Sequence, residues 1–215
     1  MRRPPGIVLA GGESRRMGAD KALALLAGRP LVAWTVGRLA PQCGPLAVSR
    51  HDGRLDGIDL GLPLLADGGD RRLGPLGGLL AGLDWAAAAD PGAARAVTVA
   101  VDTPFLPEDF VARLMAAGPG AVAASSGGRR HPVAALWPVA ARHALRAALQ
   151  DEGLRRVGVF LDRLGPAPVD WPTDPFDPFI NLNTPEELAA AEVIHARTGR
   201  SEGEPGRASR RRDDA

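Results

Sequence analysis

Aromatic residues are few: five Phe, four Trp and no Tyr make up 4% of the 215 residues. The 45% hydrophobic content is ordinary for a globular chain and is carried mostly by Ala, Leu and Val. Cysteine is limited to Cys43, which excludes an intrachain disulfide and is compatible with a reducing compartment. Its setting, Gln42-Cys43-Gly44-Pro45, reads as the turn after a helix rather than as a thiolate site. Neither sign of charge dominates: 26 basic against 25 acidic residues leave a formal net charge of +1. That argues against a generally basic nucleic-acid surface, though a local patch is compatible with it. No uncharged apolar stretch approaches the roughly 18 residues of a membrane helix. Arg2-Arg3 is not followed by a long apolar run with a cleavage site, so no secretory signal and a cytoplasmic location are expected. His51, His131, His143 and His195 are too scattered for a zinc cluster. A chain of this length can bury one good core or two modest ones.

Against these absences the segment from Ile7 to Lys21 stands out. A short apolar run, Ile7 to Ala10, ends in Gly11-Gly12; Arg15, Arg16, Gly18 and Lys21 follow. Glycines without Cβ let a ligand approach the backbone, whose N–H groups can cradle phosphate oxygens. The arginines and the lysine add positive charge around the same point. A strand feeding a glycine-rich basic loop is how α/β proteins handle a nucleotide phosphate. Two common loops are excluded. Nothing from Gly11 to Gly18 fits Gly-x-Gly-x-x-Gly, and Gly12 and Gly18 stand one residue too far apart for a P-loop, with Ala19 where its lysine belongs. The bland alternative is a glycine-rich loop with incidental charge.

Further along, apolar runs alternate with helical patterns. Strands are expected at Gly6 to Ala10, Pro45 to Ser49, Leu62 to Ala66 and Arg95 to Val101. Helices are expected from Pro30 to about Ala40, from Pro75 to about Ala89 and after Pro107. The later half is less regular. Strands are read at Ala121 to Ala124, Val133 to Trp137, Val169 to Trp171 and Phe179 to Leu182, and helices at 139–150 and 154–164. A last helix opens at Thr184-Pro185-Glu186-Glu187 with a threonine cap, proline first and glutamate third. The alternation implies a mostly parallel sheet covered on both faces, a three-layer α/β/α Rossmann-like fold. Residues 1–199 are read as a single domain, and the Ser-, Glu-, Gly-, Pro- and Arg-rich 200–215 as a disordered tail.

Several side chains then present themselves. Asp102 ends the strongest strand, where ligands of open α/β sheets sit, and a carboxylate there can hold Mg²⁺. The alternative is an Asx turn before Pro104 or a helix cap. Asp67 ends the third strand and precedes Gly68-Gly69, which a surface turn would also explain. Leu73-Gly74-Pro75-Leu76-Gly77-Gly78 is either a ligand-facing loop or a tight helix start. Arg129-Arg130-His131-Pro132 lies between two strands, and Arg155-Arg156 precedes an apolar helical run. Strand alternation would put Asn181 and Asn183 on one face. Asn183 either reaches a site or serves only the start of the last helix.

In order and spacing these motifs resemble the molybdenum cofactor guanylyltransferases, the MobA-like nucleotidyltransferases. Leu9-Ala10-Gly11-Gly12 is their loop start, where related cytidylyltransferases carry Leu-Ala-Ala-Gly. The resemblance spans roughly Gly6 to Ala196. It implies that GTP is held by Leu9, Ala10, Gly11, Gly12, Lys21, Ser49, Asp67, Gly74, Pro75, Leu76 and Asp102. It makes Arg16, Lys21 and Asp102 catalytic and gives Mg²⁺ to Asp102 and Asn183. The acceptor, molybdenum-bearing molybdopterin, falls to His131, Arg156, Asn181 and Asn183. The chain departs from the pattern at Ser49, where the family often presents asparagine, which weakens base recognition there. The implied reaction is transfer of GMP from GTP to the acceptor's phosphate with release of pyrophosphate. The N-terminal half would bind GTP and the C-terminal half molybdopterin. A monomer is expected, with transient contact to other cofactor-biosynthesis proteins and apo-molybdoenzymes, and with neither nucleic acid nor membrane as partner. The alternatives are a cytidylyltransferase acting on the same pterin, a sugar-1-phosphate nucleotidyltransferase and a non-catalytic nucleotide sensor.

Overall fold

Ile7 and Val8 are fully buried because the strand they form lies mid-sheet, flanked on both edges and covered on both faces. The computed structural model describes residues 2–11, 20–51, 53, 55, 57–67 and 73–198. Gly12, Arg15, Arg16, Gly18 and Gly68-Gly69 lie outside them, as does 200–215. In chain order the elements are β1 (Gly6–Leu9), β2 (Leu25–Leu26), β3 (Arg29–Pro30), α1 (Leu31–Leu39), β4 (Leu46–Ser49), β5 (Leu64–Leu65), α2 (Pro75–Ala89) and β6 (Arg95–Ala100). They continue with α3 (Phe110–Ala116), β7 (Val122–Ser126), β8 (Arg129–Pro138), α4 (Ala141–Gln150), α5 (Val157–Arg163), β9 (Ala167–Trp171) and α6 (Pro185–Thr198).

Seven strands form one sheet in the order β5-β4-β1-β6-β8-β7-β9. Only β8 runs against the others. Alternation sorts the side chains: Ile7 and Leu9 of β1 join Leu76, Leu79 and Leu83 of α2, with α4 and α5 on the same face. Val8 faces the opposite layer, with Val32 and Leu39 of α1 and Phe110 and Leu114 of α3. This is the expected three-layer α/β/α arrangement. α2 lies close to β1 because it carries Gly82, where a Cβ would come within 2.8 Å of Ile7 Cγ2. A smaller cluster ties α6 to the β2–β3 hairpin through Leu26, Leu31, Leu182 and Ala191. Cys43 is a core residue. Burial pushes its thiol up to about 12, which removes the thiolate from neutral chemistry.

Three expectations are corrected. Phe179 to Leu182 is no strand: the Asp177 carboxylate accepts from the Phe179 N–H and the Asp177 carbonyl from the Ile180 N–H, which turns the backbone. The same-face argument for Asn181 and Asn183 falls with it. Arg129-Arg130-His131-Pro132 is not a loop but the start of β8. The loop is only Gly127-Gly128, whose φ values of 54° and 75° suit a two-residue hairpin. The β2–β3 hairpin, two residues per strand, is too short to read as a periodic pattern.

Candidate active site

Strand order reverses between β1 and β6: from β1 the sheet grows to β4 and β5 on one side, then resumes with β6 on the other. Crevices beyond the carboxyl ends of strands at such a switch are where open α/β sheets bind ligands. Gly11 leaves β1 there, Ser49 ends β4, and Asp102 follows β6. The strands hold these ends in register: the Ala10 N–H donates to the Ser49 carbonyl (2.8 Å) and the Val101 N–H to the Leu9 carbonyl (3.0 Å). Leu9 and Ala10 are buried, so they offer a ligand backbone rather than side chain.

Three distant segments meet at Asp102. Lys21 Nζ donates to Asp102 Oδ2 (2.8 Å) and to Asn183 Oδ1 (2.5 Å). Lys21 sits in a single 3₁₀ turn, Lys21–Leu23, whose N–H at Ala22 is capped by the Asp20 carboxylate. The other Asp20 oxygen pairs with Arg50 just beyond β4 (2.5 Å). Lys21 is the only lysine in the chain, all other basic residues but the histidines being arginine. Asp102 Oδ1 is buried and has no hydrogen-bond partner among the described residues. The Asp102 side chain caps no helix and forms no Asx turn; α3 begins only at Phe110, and the carboxylate turns to Lys21 instead. An unpaired carboxylate oxygen beside an amide oxygen is a hard-oxygen donor set suited to Mg²⁺.

Asn183 is likewise not spent on the helix start. Thr184 Oγ1 accepts from the Glu187 N–H (3.2 Å), and the Glu187 carboxylate accepts from the Asn183 and Thr184 N–H groups (2.5 and 3.0 Å). That capping box serves α6 and leaves the Asn183 side chain to Lys21.

A second group lies at the β4–β5 end. The Asp67 side chain is only 7% exposed, and its Oδ1 is 2.7 Å from His51 Nδ1. Gly74 stands before α2 at φ 64°, ψ −159°, a conformation essentially restricted to glycine. Pro75 then starts the helix, and Leu76 is fully buried. Gly77 is required by space: a Cβ would be 2.6 Å from Leu73 Cβ and 3.2 Å from Asp67 Oδ2. Gly78 meets Ser49 in the same way, at 2.9 Å from Oγ. Ser49 Oγ is buried without a partner among the described residues. An open cavity of about 770 Å³ runs from Asp67 and Gly77 along α2 to Asp84, Arg146 and Arg155.

A third group belongs to the β7–β8 hairpin. His131 is buried, stacks on Phe179 (centroids 4.8 Å) and contacts Ser126 Oγ through Nε2 (2.7 Å). Ser126 Oγ donates to Asp177 Oδ1 (2.7 Å). Burial, opposed by the Asp177 charge, keeps the His131 pKa below its ordinary value. Arg156 is exposed at the start of α5; its neighbour Arg155 lines the cavity and donates to the Leu154 carbonyl. Asn181 is partly buried beside the Lys21 cluster's Asn183. Sequence reading missed His51, the Asp20–Arg50 pair, Ser126 and Asp177. Apart from Ser126 and His131, which meet across the β7–β8 turn, their partners lie far along the chain, and no spacing signals them.

A mostly parallel sheet whose strand ends gather a lysine, a buried carboxylate with one oxygen unpaired among the described residues and a glycine-led helix start fits the nucleotidyltransferase class. The profile of the MobA-like NTP transferase domain matches residues 6–164. The chain belongs to this family of molybdenum cofactor guanylyltransferase-like proteins. It is 48% identical over 197 residues to "Molybdenum cofactor guanylyltransferase" of Bradyrhizobium sp. (strain ORS 278), covering 89% of this chain and 93% of that one. Among solved structures, molybdopterin-guanine dinucleotide biosynthesis protein A of Archaeoglobus fulgidus matches with a TM-score of 0.68 at 24% identity, over 90% of this chain and 99% of that one. A 2-C-methyl-D-erythritol 4-phosphate cytidylyltransferase from Thermus thermophilus matches with a TM-score of 0.64 at 19% identity, over 91% and 100%. These two likenesses establish the fold. Among the described residues no helix is long and apolar enough to cross a membrane.

Proposed function

We propose that the protein transfers GMP from GTP to the phosphate of molybdenum-bearing molybdopterin. An acceptor phosphate oxygen forms a bond to the α-phosphorus. The bond from that phosphorus to the bridging oxygen breaks, and pyrophosphate leaves with the electron pair. The acceptor is already an anion, so no Ser-His-Asp apparatus is needed; alignment and charge neutralisation suffice. The observation that carries the reading is the meeting of Lys21, Asp102 and Asn183 at the switch point, with Asp102 Oδ1 buried and unpaired among the described residues. The names of the close relatives supply the guanylyl and molybdenum-cofactor part.

Asp102 and Asn183 would hold Mg²⁺ through their side-chain oxygens. When bound, the metal supplies Lewis-acid charge to the triphosphate. Lys21 neutralises donor phosphate charge from a position fixed by Asp102 and Asn183. Gly11, with Gly12 and Arg16 beyond the described residues, lines the phosphate side. Asp67, Ser49 and the Gly74–Leu76 helix start line the base side. His131 at the start of β8, Arg156 at the start of α5 and Asn181 before α6 fall to the acceptor half in this reading. Arg156 offers its charge to the acceptor phosphate. A panel of GTP, CTP, ATP and UTP with molybdopterin and Mg²⁺ tests the reading, followed by pyrophosphate release and product mass. GTP is expected to react in preference; equal or better turnover with CTP would reassign the protein.

A further inference from the structure

His51 has no part in the phosphate chemistry, yet it makes the one hydrogen bond that Asp67 Oδ1 receives among the described residues. A carboxylate is an acceptor only, so the proton lies on His51 Nδ1 and the imidazole donates. Oδ1 is thereby committed to a fixed donor at 2.7 Å. Oδ2 lies over Gly77 of α2, whose missing Cβ would stand only 3.2 Å away, so glycine is what gives this oxygen room. One hydrogen bond to Oδ1, with the Cβ-free face of Gly77 packed close against the rest of the side chain, holds the plane of the carboxylate, and the side chain, 7% exposed, borders the cavity.

A rotatable carboxylate accepts any single N–H. One held in a plane favours an edge that offers two adjacent donors in that plane. Guanine presents N1–H beside its 2-amino group. Cytosine and adenine each place a ring acceptor beside their amino group, and uracil flanks its one N–H with two carbonyls. An acceptor facing the second carboxylate oxygen is repelled. We infer that His51 is a positioning residue for Asp67 and sets nucleobase selectivity, rather than adding nucleotide affinity of its own. This rests on the guanylyl reading above.

The test compares GTP, inosine triphosphate and CTP by equilibrium binding and by transfer to molybdopterin. Inosine triphosphate keeps the N1–H and lacks the 2-amino group. The variants are His51→Asn, whose amide nitrogen can stand where Nδ1 stood, and His51→Gln, which keeps bulk but cannot donate from that point. Wild type should prefer GTP to inosine triphosphate by roughly tenfold or more, the weight of a hydrogen bond to a charged group. His51→Gln should bring that ratio, and the ratio of GTP to CTP, toward unity through the nucleotide KM. The KM for molybdopterin and kcat at saturation should stay within about threefold, and His51→Asn should retain the wild-type ratios. A wild type that prefers GTP, with a folded His51→Gln variant of unchanged ratios, overturns this inference alone. A wild type that prefers CTP overturns the guanylyl reading and this inference with it.

Discussion

An ammonium shared between a carboxylate and an amide oxygen sets up two different losses when one member is changed. Asp102→Asn keeps the shape but removes the charge that faces Lys21 and the lone pair left open at Oδ1. Turnover is expected to fall roughly 10²-fold or more, with the melting temperature little changed, as assay and thermal melt together would show. His131 contributes a pH dependence that comes from burial rather than from an ion pair. Its folded pKa is held below the ordinary 6.5 by burial, so the unfolded chain takes up the proton first as pH falls. The stability this group confers is present above pH 6.5 and is lost below it, as the pH descends through the folded value. His131→Gln should flatten that acid-side decline in melting temperature; a variant with the same acid limb as wild type would assign the decline to other groups.

At the start of α6 the division of labour between Thr184 and Asn183 becomes measurable. Thr184→Ala removes the cap of the Glu187 N–H and should cost about 1 kcal/mol of stability while leaving the Lys21–Asn183 contact. Asn183→Ala should do the reverse, lowering turnover without lowering the melting temperature. That contrast also marks how far the sequence can be read. The capping box is legible because its signal is local, four consecutive residues with fixed roles. β1, β6 and α2 are legible because buried parallel strands and a proline-led helix leave strong apolar runs. Asp102 is legible by its place after such a strand. Phe179 to Leu182 misleads because its apolar residues are buried by tertiary packing into separate clusters, not by strand pairing. The Asp67–His51 pair is invisible as a pair, since its partners come from β4 and β5 ends that only the sheet order brings together.

Across the whole molecule the candidate base, phosphate and acceptor groups occupy one end of one sheet, and a ligand spanning them would tie β4, β1 and β6 together. GTP with Mg²⁺ at about 100 times its Kd should stabilise the native state by about 2.7 kcal/mol, read as a raised melting temperature. CTP at equal concentration should shift it less; equal shifts would mean the base is not read in the ground state. The same convergence has a consequence for chemical labelling. Because every other cationic side chain is arginine or histidine, the chain offers a single ε-amine to an acylating reagent, and that amine is clamped between Asp102 and Asn183. Mass added at Lys21 therefore reports on the state of the centre itself, with no background from other lysines. A triphosphate that lies against the ammonium shields it, so the protein carries its own footprint of occupancy, one ε-acyl group per empty molecule.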